Sequence, residues 1–174
     1  MGPSAVRLAQ LAQRLERLGH DVVDTGDVPI PTRETLGVGR GIEFLPTITG
    51  ICTDIAARTA DIVRGGRIPV VLGGDHSLAA GSIAGVATAL AERGERLGVI
   101  WLDAHADLNT PESTLSGNVH GMPVAHLLGH GDRGMASIAS PGPAVRPEHL
   151  VIIGARDLDP VSYTHLTLPT NREV

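Results

Sequence analysis

Leu97-Gly98-Val99-Ile100-Trp101-Leu102 runs straight into Asp103-Ala104-His105-Ala106-Asp107. The first part is apolar without alternation, the pattern of a strand buried on both faces of a parallel sheet. The second part turns polar within one residue, as a chain does where it leaves the sheet. The same change occurs on either side. Ile68-Pro69-Val70-Val71-Leu72 ends in Gly73-Gly74-Asp75-His76-Ser77, and Leu150-Val151-Ile152-Ile153-Gly154 ends in Arg156-Asp157-Leu158-Asp159. Between these runs the apolar residues take helical spacing.

Working outward, residues 4–18 carry a helical apolar stripe, with Ser4 as N-cap and Gly19 as the stop. Residues 21–24 read as a short strand closed by the turn at Thr25-Gly26-Asp27, and residues 29–41 as a loop. A helix is expected over 44–63, another capped by Ser77 and running from 79 to about 93, and a short one over about 122–128. Strands that alternate with helices imply βαβ units. The fold class expected is therefore α/β, a three-layer αβα arrangement around a mainly parallel sheet. Crossovers of this kind bring successive strand C-termini to one edge, where ligands bind. The polar clusters at 73–77, 103–109 and 156–159 should therefore meet.

The bulk properties suit one domain and indicate neither a disordered nor a membrane class. The chain has 174 residues and 42% apolar content, with aromatics at only 2%, enough for a real core of Val, Ile and Leu strands under Ala-rich helices. A formal charge of −5 argues against nucleic acid or an anionic membrane as partner, because both reward a basic face. No apolar run approaches the roughly 18–20 residues that span a bilayer. Met1-Gly2-Pro3-Ser4 has none of the charge-then-apolar order of a secretory leader, so a cytoplasmic location is expected. The single cysteine, Cys52, excludes an internal disulfide framework and a thiolate zinc cage. It reads as a small buried hydrophobe.

Asp103, His105 and Asp107 carry the chemistry. In extended backbone, residues two apart face the same side, so three metal-competent side chains converge, with Ala104 and Ala106 leaving room between them. Two carboxylates and an imidazole without thiolate favour a hard divalent cation such as manganese over structural zinc. His76, at the end of the neighbouring strand, is placed to add a nitrogen.

Gly73-Gly74-Asp75-His76-Ser77, Trp101-Leu102-Asp103-Ala104-His105-Ala106-Asp107-Leu108-Asn109 and Ser116-Gly117-Asn118-Val119-His120-Gly121-Met122-Pro123, in that order, resemble the ureohydrolase family. The third motif is similar to its arginase branch rather than to agmatinases. The resemblance implies an arginase/deacetylase-like fold and two Mn(2+) ions. His76 and Asp107 would bind the first ion, His105 the second, and Asp103 both. A metal-bridging hydroxide would attack the guanidinium carbon of L-arginine, giving L-ornithine and urea. His120 matches the proton-shuttle histidine, which must deliver a proton near neutral pH. Asn109, Ser116 and Asn118 resemble the residues that hold the α-carboxylate. Asp159 resembles the acidic group that pairs with the α-ammonium, and Asp157 has the weaker case of a loop stabiliser. The resemblance also suggests a homo-oligomer, trimer or hexamer. His20, His126, His130 and His149 lie outside the motifs and read as surface or core fillers.

Two departures shape the remaining expectations. The family's later Asp-x-Asp strand end, which supplies two more carboxylate ligands, has no counterpart here. The resemblance itself runs from about Gly2 to Pro160. Residues 1–160 are thus expected to form a partial arginase-like catalytic domain truncated at both ends, and residues 161–174 a non-native tail. Such a chain alone should bind manganese weakly and hydrolyse arginine negligibly. The competing readings are an agmatinase- or formiminoglutamase-type ureohydrolase and a non-catalytic metal-binding remnant.

Overall fold

The computed structural model describes residues 2–158. Its elements are α1 (Gly2–Leu8), α2 (Leu11–Arg17), α3 (Arg33–Leu36), α4 (Leu45–Arg64), α5 (Leu78–Ala91), β1 (Val99–Leu102), α6 (Pro123–Leu127), α7 (Arg133–Ala136) and β2 (Leu150–Ile153). The two strands pair in parallel, with Val99 opposite Leu150 and Leu102 opposite Ile153. The Asp103 N–H extends the ladder to the Ile153 carbonyl at 3.1 Å. A parallel sheet with helices packed on it is the expected architecture, here incomplete.

The core lies on one face of this sheet. Trp101 is only 3% exposed and packs with Ala79 and Ala84 of α5, Val124 and Leu127 of α6, and Val145. Partly buried Val99, Leu150 and Ile152 complete that face. The other face is bare: Ile100 is 68% and Leu102 72% exposed, with Val151 and Ile153 also open. Among the described residues the helical layer is therefore one-sided.

Behind that layer α4 lies against α5 at very short range, because glycine removes the side chain at the crossing. A Cβ on Gly81 would sit 2.3 Å from the Cys52 carbonyl oxygen, and one on Gly85 2.1 Å from that of Ala56. Buried Cys52 donates its thiol to the Ser77 carbonyl at 3.4 Å, tying α4 to the turn that precedes α5. A second cluster, formed by Leu45, Cys52, Ala80, Val119 and Met135, closes this side.

Three expectations change. The stripe over 4–18 is two short helices, broken where Gln10 takes a left-handed conformation (φ 60°), and neither buries a residue. Packing of an apolar face supplies most helical stability in proteins, and these segments lack it. Arg7 instead reaches Asp24 and Asp27, each at 2.7 Å. Residues 21–24 and 68–72 do not form strands. A strand exists only where a neighbour accepts its hydrogen bonds, and among the described residues the one ladder is β1–β2, so Ile68, Val70, Val71 and Leu72 are exposed. Ser77 stands at the N-cap position of α5 but makes no cap hydrogen bond. Its N–H and hydroxyl both donate to Asp75 Oδ1, an Asx-type turn that competes with capping. No described helix is long and apolar enough to cross a membrane.

Candidate metal centre

Two structural devices bring His76, Asp103 and Asp107 together. His76 occupies the turn before α5, where its carbonyl accepts the Ala79 N–H at 3.0 Å. Asp103 is the first residue past β1. Asp107 is buried and left-handed (φ 50°), a conformation that Asp tolerates better than most residues. The first turn of α6 holds it there: the Val124 and Ala125 N–H groups donate to the Asp107 carbonyl at 3.0 and 3.3 Å. Its side chain is thus turned back toward the strand end.

The resulting geometry crowds two carboxylates around one imidazole nitrogen. His76 Nδ1 lies 2.8 Å from Asp103 Oδ2 and 3.1 Å from Asp107 Oδ2. One atom from each residue fits within a set whose members are all 4.8 Å or less apart. Nδ1 carries at most one proton, and its hydrogen bond goes to Asp103. Asp107 Oδ2 is left buried without a hydrogen-bond donor, which is costly for a carboxylate. A divalent cation among these three residues would satisfy that oxygen, and the oxygen–nitrogen donor set suits one.

The electrostatics agree. Burial first, and the nearby Asp103 charge second, push the Asp107 carboxyl up to about 6, against the pull of His76, His105 and His120. Burial works the same way on Asp103 but is outweighed by its hydrogen bonds from the His105 N–H and His76, so Asp103 stays below the usual carboxylate range.

Asp103 faces two ways. Its Oδ2 meets His76, while its Oδ1 accepts the His105 N–H at 3.0 Å and lies 3.3 Å from His105 Nδ1. His105 stands outside the three-residue group and more in the open, its Nε2 3.5 Å from Asp157 Oδ2.

Beside this cluster opens a cavity of about 320 Å³ lined by His105, Asp107, Asn109, Ser116, Asn118, His120 and Asp157, with Thr114 at its wall. The chain folds into this wall through short local bonds. Asn109 N–H donates to the Gly121 carbonyl at 3.1 Å, and Ser113 Oγ bonds Asn109 Oδ1 at 3.1 Å. Gly117 N–H donates to Thr114 Oγ1 at 3.0 Å, and Asn118 N–H to Ser116 Oγ at 3.2 Å. Asn109, Ser116, Asn118 and His120, more than forty residues beyond His76 in some cases, thus share one cavity with His105 and Asp107. Asp157, given the weaker role from sequence, lines it as well. Its signal was the two-residue step from Asp159, which itself lies outside the described residues, as does the segment 161–174. His126 is 2% exposed with neither ring nitrogen hydrogen-bonded, a core residue.

One contact had no role in the sequence reading: the His76 ring stacks on Trp101, centroids 4.1 Å apart and planes 25° from parallel.

Comparison with known proteins identifies the family and the fold. The arginase family model matches residues 1–171. An arginase from Bacillus caldovelox is 48% identical over 162 residues, covering 91% of this chain and 52% of that relative. The solved arginase of Bacillus cereus superposes with a TM-score of 0.82 at 43% identity, covering 94% of this chain and 53% of that one. That of Entamoeba histolytica, solved in complex with L-ornithine, superposes with a TM-score of 0.74 at 28% identity, covering 93% and 53%. The chain spans about half the length of the curated relatives it matches.

Proposed function

The chain belongs to the arginase family, and on that premise we propose that it builds the His76–Asp103–His105–Asp107 portion of a two-manganese centre that hydrolyses L-arginine to L-ornithine and urea. The observation that carries this reading is the buried, donorless Oδ2 of Asp107 set against His76 and Asp103. His76 and Asp107 would hold one cation and His105 the other, with Asp103 shared through the two oxygens that already face opposite ways. Two Mn(2+) ions, when bound, supply a nucleophile at neutral pH by lowering the pKa of water.

The remaining residues act on the substrate. Asn109, Ser116 and Asn118 offer neutral amide and hydroxyl groups to an α-carboxylate, and they share a cavity with the metal-facing residues. His120, on that wall, delivers the proton that the leaving amine needs. Asp159 is assigned to the α-ammonium, with Asp157 at the cavity rim in support. The Entamoeba histolytica relative was solved with L-ornithine, which carries both α-groups.

Manganese titration of the chain, followed by the electron paramagnetic resonance of free Mn(2+), tests the metal assignment. Saturable binding lost in Asp107→Ala is expected, and binding indifferent to Asp103→Ala and Asp107→Ala overturns it. Charge balance predicts weak affinity, since two carboxylates face two dications. The reaction is tested on a chimera that joins this chain to the unmatched half of the Bacillus caldovelox arginase. Urea should form from L-arginine, with agmatine rejected by about 10⁴-fold, because polar groups built for a carboxylate are otherwise left unpaired. Equal turnover of both substrates would make the protein agmatinase-like. Bound metal with no urea would make it a non-catalytic metal-binding domain.

A further inference from the structure

A metal-ligating histidine is ordinarily held by a hydrogen bond from its second ring nitrogen, which fixes the ring plane and tautomer. His76 has no such bond. Its Nδ1 faces the carboxylates, and no hydrogen bond joins its Nε2 to another described residue. The residue also sits on a turn rather than inside a helix or strand, and its side chain is 39% exposed. The one hydrogen bond on the ring is that between Nδ1 and Asp103, on the very atom a cation would take, and half a turn of the imidazole about its Cβ–Cγ bond would replace Nδ1 by a carbon.

Apart from that bond, the contact that holds the ring plane is the indole of Trp101, stacked on it at 4.1 Å. Trp101 can do this because it is itself immobile. It lies inside β1, is nearly fully buried, and is wedged among α5 and α6 residues. Its Nε1–H is buried with no acceptor, so the indole is kept at this position at a polar cost that a phenyl ring would avoid. An electron-rich face also attracts an imidazole that becomes more positive on coordination, as in other cation–π pairs.

We propose that Trp101 is the positioning residue for His76: its stacked face holds Nδ1 toward Asp103 and Asp107 and favours the cation-bound ring. This rests on His76 being a metal ligand, as argued above.

Trp101 is the only tryptophan in the chain, so tryptophan emission reports the surroundings of this one ring, and His76→Ala separates the His76 contact from the rest. Manganese chloride is titrated into the full chain while tryptophan emission and free Mn(2+) resonance are followed together. Emission should change saturably in step with occupancy, and the change should vanish in His76→Ala. Trp101→Phe, which keeps a stacking face, should retain affinity within about threefold, whereas Trp101→Leu should lose about tenfold. Unchanged emission while Mn(2+) binds overturns the proposal, as does equal affinity in the folded Phe and Leu variants. Should the Leu variant not fold, the emission titration and the Phe variant decide. Failure of the wild-type chain to bind any Mn(2+) overturns the metal assignment and this proposal together, an outcome distinct from binding that leaves tryptophan silent.

Discussion

Trp101 and Leu102 are neighbours on β1, yet one is sealed among helices and the other stands 72% exposed. The contrast holds for the whole sheet: Val99, Trp101, Leu150 and Ile152 face the α5–α6 layer, and Ile100, Leu102, Val151 and Ile153 face outward. Both faces are equally apolar in sequence. Burial here follows from what packs against a face, and only the covered face can position anything. His76 rests on covered Trp101, and Asp107 is pinned by the first turn of α6. The metal-facing residues thus hang from the packed side. The apolar run 68–72, which leads into His76, has no strand beside it among the described residues.

Matched leucine deletions would break this comparison first. Leu127→Ala, on the covered side, should cost about 2–5 kcal/mol through lost transfer energy and an unfilled cavity. Leu102→Ala, on the bare side, should stay within about 0.5 kcal/mol. Urea unfolding of the two variants, followed by circular dichroism, checks the difference, and equal losses would show that the outer face is covered in solution.

Gly85→Ala sharpens the account of the layer itself. Its new Cβ would meet the Ala56 carbonyl oxygen and Thr59 Oγ1, each at 2.1 Å. Overpacking should cost about 1–3 kcal/mol, outweighing the gain in helix propensity of about 1 kcal/mol. An unfolding midpoint at or above that of the wild type would show that α4 and α5 are not so close.

Buried His126 gives a pH-dependent difference. Burial holds its imidazole below the ordinary value, against the weaker pull of Asp132 and Glu112. The unfolded chain therefore takes up the proton first, near about pH 6.5. Stability from this group is complete above that pH and is lost as pH falls through it. The unfolding midpoint of wild type relative to His126→Leu should thus drop from about pH 8 to about pH 5. A constant difference across that range would place His126 at the surface.

The residues of the candidate site were legible because their signal is local. Asp103, His105 and Asp107 follow directly on an apolar run and His76 follows Gly73-Gly74 after another, which marks them as metal-competent. That Asp107 joins His76 and Asp103 while His105 stands outside the group comes from the left-handed backbone at Asp107 rather than from strand alternation. Belonging to the arginase family follows from the same motifs. The helix breaks at Gln10 and the unpaired runs 21–24 and 68–72 were not legible, because propensity sets what a segment can become while pairing and packing decide whether it does. Nor could an apolar run say which of its faces would be covered.

By itself, then, the sequence determined the helices over 45–64 and 78–91, the strands at 99–102 and 150–153 and the residue types that follow them, since these depend on periodicity and spacing along the chain. Only the tertiary structure decided that Asp107 would be buried with an oxygen lacking a donor, that Asp157 would reach the cavity, and that Trp101 would lie under His76. Each depends on distances between segments far apart in sequence, set by how the α5–α6 layer packs on one face of the sheet.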